Sequence, residues 1–134
     1  MKPLLIIDFD STFIRDETLD EIAKITSSSN KKTPNIHRKI EEITTQAMAG
    51  GIDFKDALKK RVNMLKLHKN ELDNIVSILK KRVSLSFIKN KKYIQSISNR
   101  IYIVSGGFKE IIIPIVKDYG IFPDHIFANE FKYD

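Results

Sequence analysis

The chain contains no cysteine and no tryptophan, and it has only five glycines and four prolines in 134 residues. Without cysteine it forms no disulfide bond and offers no thiolate to a metal, which fits a reducing cytoplasm, and we expect a cytoplasmic protein. Long apolar runs are also missing, because the N-terminal run Leu4–Ile7 is far too short to span a membrane and ends at Asp8. No small-residue cleavage site follows this run, so the sequence predicts neither a signal peptide nor a membrane anchor.

The charge is unbalanced, with 23 Lys and Arg against 17 Asp and Glu, which gives a formal net charge of +6. The basic residues are spread in short groups such as Lys59-Lys60-Arg61 and Lys80-Lys81-Arg82, and they form no single block. Scattered lysines are typical of solvated helix faces, so we expect no nucleic-acid partner; the alternative, a basic nucleic-acid binder, predicts steeply salt-dependent binding. At 42% hydrophobic residues, the chain can bury one core, or a small core with an insertion.

The stretch Asp8-Phe9-Asp10-Ser11-Thr12 directly follows the apolar run. A short apolar run that ends in two alternate aspartates predicts a buried parallel strand, which delivers both carboxylates to its C-terminal edge. Mg²⁺ prefers hard oxygen ligands and is typically held by one or two carboxylates together with a substrate phosphate. Asp8 is therefore a candidate nucleophile toward phosphorus, and Asp10 a candidate proton donor to the leaving alcohol. A solvated acidic turn is the alternative, whereas a calcium-binding EF-hand loop is excluded because Phe13 and Leu19 stand where that loop needs Gly and Glu.

Amphipathic helices dominate the middle of the chain. Apolar residues at helical spacing predict four of them: one that opens at Asp16 and ends before Ser27, one over Asn35–Ala49, one that Asp53 caps and one that Asn70 caps. The polar stretch from Ser27 to Pro34 between the first two predicts a loop. Together the four helices are expected to form a small bundle over the edge of a sheet. A fifth helix is predicted from Ser86 to Ser98.

The remaining segment returns to a strand–helix–strand pattern. Ile101–Val104 predicts a second strand, residues 108–119 a helix, and residues 125–128 a third strand. This order is typical of a parallel, right-handed α/β unit. Between the second strand and the helix, Ser105 and Gly106 offer a hydroxyl and backbone N–H groups to an anion at the helix N-terminus. A plain glycine-rich turn is the alternative.

The order of three features resembles the haloacid dehalogenase-like phosphatases. These features are Asp8-Phe9-Asp10-Ser11-Thr12, then a helical insertion, then Val104-Ser105-Gly106-Gly107-Phe108. Within them, the segments 17–23 and 47–50, and Asp53-Phe54 followed by Arg61, are similar to the cap of the phosphoserine phosphatase family. The resemblance covers nearly the whole chain. It implies an α/β fold in which residues 1–14 and 84–134 form a partial Rossmann-like parallel sheet, and residues 15–83 form a four-helix cap inserted after the first strand.

The resemblance also implies roles for the residues of the sheet edge. Asp8 is the phosphoryl acceptor, and Asp10 is the general acid that later activates water. Both residues hold Mg²⁺, Asp8 by its carboxylate and Asp10 by its main-chain carbonyl. Ser105 and the Gly106 amide bind the phosphoryl oxygens. The implied activity is Mg²⁺-dependent hydrolysis of O-phosphoserine to serine and phosphate through an aspartyl-phosphate.

Four further residues acquire roles from the same resemblance. Arg61 binds the carboxylate of phosphoserine and Glu17 its ammonium group, because a planar guanidinium matches a carboxylate bidentately. Met48 and Phe54 form an apolar wall that excludes water. The alternative for each is ordinary helix chemistry: Glu17 as a first-turn acid, Arg61 as a solvated base, and the two apolar residues as bundle core.

Two pieces of the family pattern are not found in the sequence, a lysine that pairs with the nucleophile and an acidic motif that completes the Mg²⁺ site. In the family both lie C-terminal to the third strand, so we expect the chain to be the N-terminal portion of an enzyme, with severely reduced turnover on its own. The segment Leu4–Phe9 is then expected to be an exposed apolar edge that favours self-association or pairing with a second chain. A non-catalytic phosphate-ligand-binding module, a half-enzyme that needs a second chain, and a phosphotransferase of the same superfamily remain alternatives.

Overall fold

The computed structural model describes residues 2–29, 36–65 and 67–132. Within these residues the sequence folds into a mixture of short parallel strands and amphipathic helices. In chain order they are β1 (Leu5–Ile7), α1 (Thr18–Ser29), α2 (Ile36–Met48), α3 (Phe54–Leu65), α4 (Leu72–Lys80), α5 (Leu85–Lys89), α6 (Lys91–Ser96), β2 (Ile101–Phe108), α7 (Lys109–Val116) and β3 (Ile126–Asn129).

The chain divides into two compact units. The first, which we call the sheet unit, comprises Met1–Glu17 and Lys69–Asp134, and the second, the helical unit, comprises Thr18–His68. The helical unit contains α1, α2 and α3, which pack against one another. Helix α4 packs against α7 within the sheet unit, so the compact insertion has three helices where the sequence predicted four.

The sheet is parallel, with the strand order β1-β2-β3. Ile7 lies opposite Ile103, and Ile103 lies opposite Ile126. Residues that lie opposite one another point to the same side of a sheet, so these three side chains share one face. Ile103 and Ile126 are buried on this face. Helix α7 packs on β2 and β3 and buries four apolar residues that recur at helical spacing, Ile111, Ile112, Ile115 and Val116. The predicted α/β unit of strand, helix and parallel strand is confirmed.

The first strand is not buried, contrary to the prediction. Among the described residues, β1 lies at the edge of the sheet and pairs with β2 alone. Leu4, Leu5 and Ile6 are therefore exposed, and the exposed fraction of Ile6 is 72%. Phe127 is also exposed. The expected exposed apolar edge is therefore present at Leu4, Leu5 and Ile6, but it does not extend to Phe9, which is fully buried.

Several helix boundaries differ from the predictions. Helix α1 continues through Ser29, where the sequence predicted a loop. Residues 30–34 of that loop, and Asn35 at the predicted start of the second helix, lie outside the described residues. Helix α4 follows a 3₁₀ turn, and its N-cap is Glu71 without a side-chain cap, so Asn70 does not cap it. The predicted fifth helix breaks at Asn90, whose side chain donates to the Ser86 carbonyl at 2.8 Å and competes with the helical backbone. In the described parts of the chain, no helix combines the length and apolar character needed to cross a membrane.

Candidate functional site

A single wide turn follows β1 and carries the two aspartates. It spans Phe9–Phe13 and is closed by the Ile14 amide, which donates to the Phe9 carbonyl at 3.1 Å. Asp8 precedes it in an extended conformation, and its Oδ1 accepts a hydrogen bond from the Phe9 amide at 2.8 Å. Asp8 is exposed and Asp10 is half-buried. The carboxylates thus stand at the C-terminal end of β1, as predicted.

Two buried aromatic side chains hold this turn in place. Phe9 and Phe13 are fully buried, and Asp10 lies between them in the sequence. The ring of Phe13 stacks on Phe87 at a centroid distance of 4.8 Å and meets Tyr119 edge-on at 5.0 Å. The turn is therefore fastened to the core of the sheet unit by apolar contacts on each side of the acidic residue.

Ser11 has an unusual backbone conformation within the turn. Its φ of 55° and ψ of 17° lie in the left-handed region, which is uncommon for residues other than glycine. The Ser11 amide donates to the Asp16 carbonyl at 3.0 Å, and its hydroxyl donates to Glu17 Oε1 at 2.8 Å. These bonds join the Glu17 carboxylate, a candidate substrate ligand, to the acidic turn.

The end of β2 contains an irregularity at the second candidate segment. Val104 lies opposite Phe127 and Phe108 opposite Asn129, so β2 advances four residues while β3 advances two. The extra residues fall within Ser105-Gly106-Gly107. A bulge of this kind redirects the backbone at a strand end, often beside a functional site.

Local hydrogen bonds define the shape of this bulge. The Ser105 hydroxyl oxygen accepts from the Gly107 amide at 2.9 Å, and the Gly106 carbonyl accepts from Asn129 Nδ2 at 3.0 Å. A Cβ atom at Gly107 would lie 3.2 Å from Ser105 Oγ, so glycine there permits the close approach of the hydroxyl. Helix α7 begins at Lys109, so Ser105 and Gly106 lie on the strand rather than in the first turn of the helix.

The strand register brings the two segments to the same edge of the sheet. Ile7 pairs with Ile103, so Asp8 and Val104 are the next residues along two neighbouring parallel strands. The wide turn also contacts β2. The structure therefore groups Asp8 and Asp10 with Ser105 and Gly106 at the carboxyl ends of β1 and β2, where open α/β sheets bind ligands.

The other three candidate residues belong to the helical unit. Met48 and Phe54 are exposed, by 70% and 59%, so the alternative that they are bundle core is wrong. Arg61 is only 6% exposed, so the alternative of a solvated base is also wrong. It occupies the buried stripe of α3 between Ala57 and Leu65, a position that periodicity reserves for apolar residues.

Arg61 has two hydrogen-bond partners within the helical unit. Its Nε donates to the Ala57 carbonyl at 3.3 Å, and its Nη1 donates to Thr44 Oγ1 at 3.1 Å. Thr44 Oγ1 in turn lies 3.0 Å from Asp20 Oδ1. Sequence reasoning did not find Thr44 or Asp20, although Thr44 follows the buried Ile40 by four residues and so stands on the inner face of α2.

The similarity of this chain to known proteins points to one family. No protein-family model matches the sequence. The phosphoserine phosphatase of Methanocaldococcus jannaschii is 32% identical over 133 residues, which are 96% of this chain and 56% of the relative. The phosphoserine phosphatase of Lactococcus lactis is 33% identical over 137 residues, which are 99% of this chain and 56% of the relative.

Solved structures agree with the sequence relatives. A phosphoserine phosphohydrolase-like protein from Francisella tularensis is 30% identical, with a TM-score of 0.82 over 99% of this chain and 61% of the neighbour. A substrate-bound phosphoserine phosphatase complex is 29% identical, with a TM-score of 0.74 over 100% of this chain and 59% of the neighbour. Over nearly its whole length, the chain is similar to phosphoserine phosphatases. It spans about half the length of the curated relatives that it matches.

The phosphoserine phosphatases are phosphoric monoester hydrolases, and the expected haloacid dehalogenase-like fold is confirmed by these neighbours. A magnesium ion fits the donor atoms at the sheet edge, because the Asp8 carboxylate and the Asp10 main-chain carbonyl both offer hard oxygen ligands. Within the described residues, however, no group of three or more His, Asp and Glu side chains is placed to hold a metal. Mg²⁺ is typically held by one or two carboxylates together with a substrate phosphate, so a small set of protein ligands is compatible with this metal.

Proposed function

We propose that this chain carries the phosphoryl-acceptor part of a phosphoserine phosphatase active site. One observation supports the proposal most: the acidic turn after β1 and the Ser105-Gly106 bulge of β2 end on neighbouring parallel strands. A carboxylate nucleophile beside backbone N–H groups and a hydroxyl is the arrangement that phosphoryl transfer requires, because this reaction depends on positioning and on stabilising charge on the equatorial oxygens.

In the proposed reaction a carboxylate oxygen of Asp8 bonds to phosphorus while the bond from phosphorus to the serine oxygen breaks. Asp10 gives its proton to that serine oxygen. In the second step a water oxygen bonds to phosphorus, its proton passes to Asp10, and the bond between Asp8 and phosphorus breaks to release phosphate. Ser105 and the Gly106 amide hold the phosphoryl oxygens, and acid catalysis of this kind contributes roughly 10²- to 10⁴-fold. A solved relative is described as a phospho-aspartyl intermediate analogue of phosphoserine phosphatase.

The proposal assigns Mg²⁺ to the Asp8 carboxylate and the Asp10 main-chain carbonyl. When bound, the ion neutralises negative charge on the phosphoryl group. The hydrogen bond from the Phe9 amide to Asp8 Oδ1 fixes the carboxylate and leaves Oδ2 for the chemistry.

The proposal also assigns residues that bind the amino-acid end of the substrate. Arg61 binds the carboxylate, Glu17 binds the ammonium group, and Met48 and Phe54 cover the ligand. The exposure of both apolar side chains supports this assignment, because exposed apolar residues are available to exclude water from a ligand. Arg61, Met48 and Phe54 belong to the helical unit. Glu17 belongs to the sheet unit, where its carboxylate accepts a hydrogen bond from Ser11.

We further propose that efficient turnover needs groups beyond those described, a cation for Asp8 and another acidic metal ligand. The exposed edge of β1 supports an alternative source of these groups. In this alternative the chain is a half-enzyme, and a second chain completes the site by pairing with β1. An assay of phosphoserine hydrolysis by the isolated chain with Mg²⁺ should show severely reduced turnover. Turnover equal to that of a longer relative would contradict this part of the proposal.

Ligand binding tests the site itself without requiring turnover. Titration of the isotopically labelled chain with O-phospho-L-serine and Mg²⁺ should shift the amide resonances of residues 8–11 and 105–107 in NMR spectra. Ser105→Ala should weaken binding, because it removes a hydroxyl from the phosphoryl group. Ser96→Ala is the matched control, since Ser96 is exposed and its hydroxyl bonds only locally to the Tyr93 carbonyl. Shifts confined to other segments, or equal affinities for the two variants, would refute the assignment.

A further inference from the structure

The core of the helical unit contains a polar cluster that the reaction as proposed does not use in full. Among the described residues of this unit, the buried side chains are apolar except for Thr18, Thr44 and Arg61. Thr44 and Arg61 meet at 3.1 Å, and half-buried Asp20 completes the group. We call Asp20, Thr44 and Arg61 the buried polar cluster. One residue comes from each of α1, α2 and α3.

The direction of the hydrogen bonds in this cluster follows from the chemistry of its members. Arginine has only donors, so Arg61 Nη1 donates to the Thr44 hydroxyl oxygen. The single hydroxyl proton of Thr44 then has two acceptors within 3.0 Å, Asp20 Oδ1 and the Ile40 carbonyl. The carboxylate is the stronger acceptor, because hydrogen bonds to ionised groups are roughly twice as strong as neutral ones. Thr44 therefore links the Arg61 cation to the Asp20 carboxylate.

This arrangement leaves one edge of the guanidinium unused. Arginine has five N–H groups, and the bonds to Ala57 and Thr44 occupy one on Nε and one on Nη1. In the part of the chain that the structure describes, no hydrogen bond from Nη2 is present. The second N–H of Nη1 and both N–H groups of Nη2 are therefore the guanidinium donors left for a carboxylate. Because the group is buried, its orientation depends on the partners that hold it.

We propose that Thr44 is a positioning residue, which orients the Arg61 guanidinium and so gives the protein its preference for phosphorylated ligands that carry a carboxylate. This inference rests on the proposed role of Arg61 in binding the substrate carboxylate. Thr44 does not touch the ligand. It fixes the plane of the cation through Nη1, while the Ala57 carbonyl fixes Nε.

Neighbouring residues of α2 provide a matched pair for the experiment. Thr44 and Thr45 are both threonines within the helix, and each hydroxyl donates to the carbonyl four residues earlier, at 3.0 Å in both cases. Only Thr44 also contacts Asp20 and Arg61, whereas Thr45 is exposed. Substitution of either by valine changes helix propensity in the same way, so a difference between them reports on the buried polar cluster.

The experiment compares O-phospho-L-serine with O-phosphoethanolamine, which lacks the carboxylate, by calorimetric titration of the full chain. The wild type should prefer phosphoserine. Thr44→Val should reduce that preference roughly 10-fold or more, because a hydrogen bond to a buried charge is lost, and leave the affinity for phosphoethanolamine within about twofold. Thr44→Ser restores the hydroxyl and should restore the preference, and Thr45→Val should retain it. Should Thr44→Val fail to fold, Asp20→Asn tests the same link, since it weakens the acceptor of the Thr44 proton, and it should also lower the preference.

Arg61→Met separates this inference from the function on which it rests. If Arg61→Met retains the preference for phosphoserine, or if the wild type binds neither ligand, the proposed role of Arg61 is wrong and the inference about Thr44 falls with it. If Arg61→Met loses the preference but Thr44→Val and Asp20→Asn keep it, only the inference about Thr44 is overturned. An equal loss of affinity for both ligands in Thr44→Val would indicate a purely structural role and would also overturn it.

Discussion

The left-handed backbone of Ser11 gives a prediction that can be worked out from the structure. This conformation costs an L-residue about 1 to 2 kcal/mol, and Ser11→Gly removes the cost. The same substitution loses the bond from Ser11 to Glu17, worth roughly 0.5 to 1.5 kcal/mol, and adds backbone entropy to the unfolded chain, worth roughly 0.5 to 1 kcal/mol. The terms nearly cancel, so Ser11→Gly should change the free energy of unfolding by less than about 1 kcal/mol.

Ser11→Val should behave differently, because a β-branched residue fits the left-handed region poorly and the hydrogen bond to Glu17 is lost as well. We expect it to lower the free energy of unfolding by about 2 kcal/mol. Urea unfolding followed by tyrosine fluorescence measures the stability of the sheet unit, which contains Ser11. Tyr93, Tyr102 and Tyr119 all lie in this unit.

The next residue supplies the control for this comparison. Thr12 is exposed, and Ser11 is the only residue other than glycine with positive φ in the described chain. The order of stability should therefore reverse at position 12, with Thr12→Val more stable than Thr12→Gly by roughly 1 kcal/mol. Equal stabilities of Ser11→Gly and Ser11→Val would show that Ser11 does not adopt the left-handed conformation and would refute the reasoning.

Two further predictions concern the sheet unit. Burial and the nearby Asp118 carboxylate raise the pKa of Tyr119 above its ordinary value of 10.0. The neutral phenol is therefore favoured in the fold, and its stabilising contribution is present below pH 10.0 and lost as the pH rises through the raised pKa. Urea unfolding at a series of alkaline pH values should show a smaller loss of stability for Tyr119→Phe than for the wild type; equal losses would contradict this assignment. The exposed β1 edge should cause the isolated chain to associate, and Ile6→Lys should shift sedimentation velocity profiles toward the monomer. A wild-type chain that sediments only as a monomer would contradict this prediction.

The parts of the fold that were predictable from the sequence are those governed by periodicity. Ile111, Ile112, Ile115 and Val116 repeat at helical spacing, and they are buried on α7. The placement of Asp8 at the end of a parallel strand follows from the apolar run that precedes it. These features depend on residues close together in the chain, and local spacing records them directly.

Features that depend on distant partners were not predictable in the same way. An apolar run gives the same pattern for a central and an edge strand, so the exposure of β1 depends on which strands lie beside it. The burial of Arg61 depends on Thr44, which lies 17 residues earlier on another helix. The conformation of Ser11 was also hidden, because serine carries no strong preference for the left-handed region.

The position of the acidic turn depends less on β1 than the sequence suggests. Strand β1 has three residues, one neighbouring strand and an exposed edge, so its ladder alone holds Asp8 weakly. The stronger attachments lie after the acids, where Phe13 is buried against aromatic rings and Ser84 donates to the carbonyls of Phe13 and Thr12, at 2.8 Å through its amide and 2.6 Å through its hydroxyl. Together with the buried Phe9 ring, these contacts hold the two carboxylates more firmly than the short β1 ladder does.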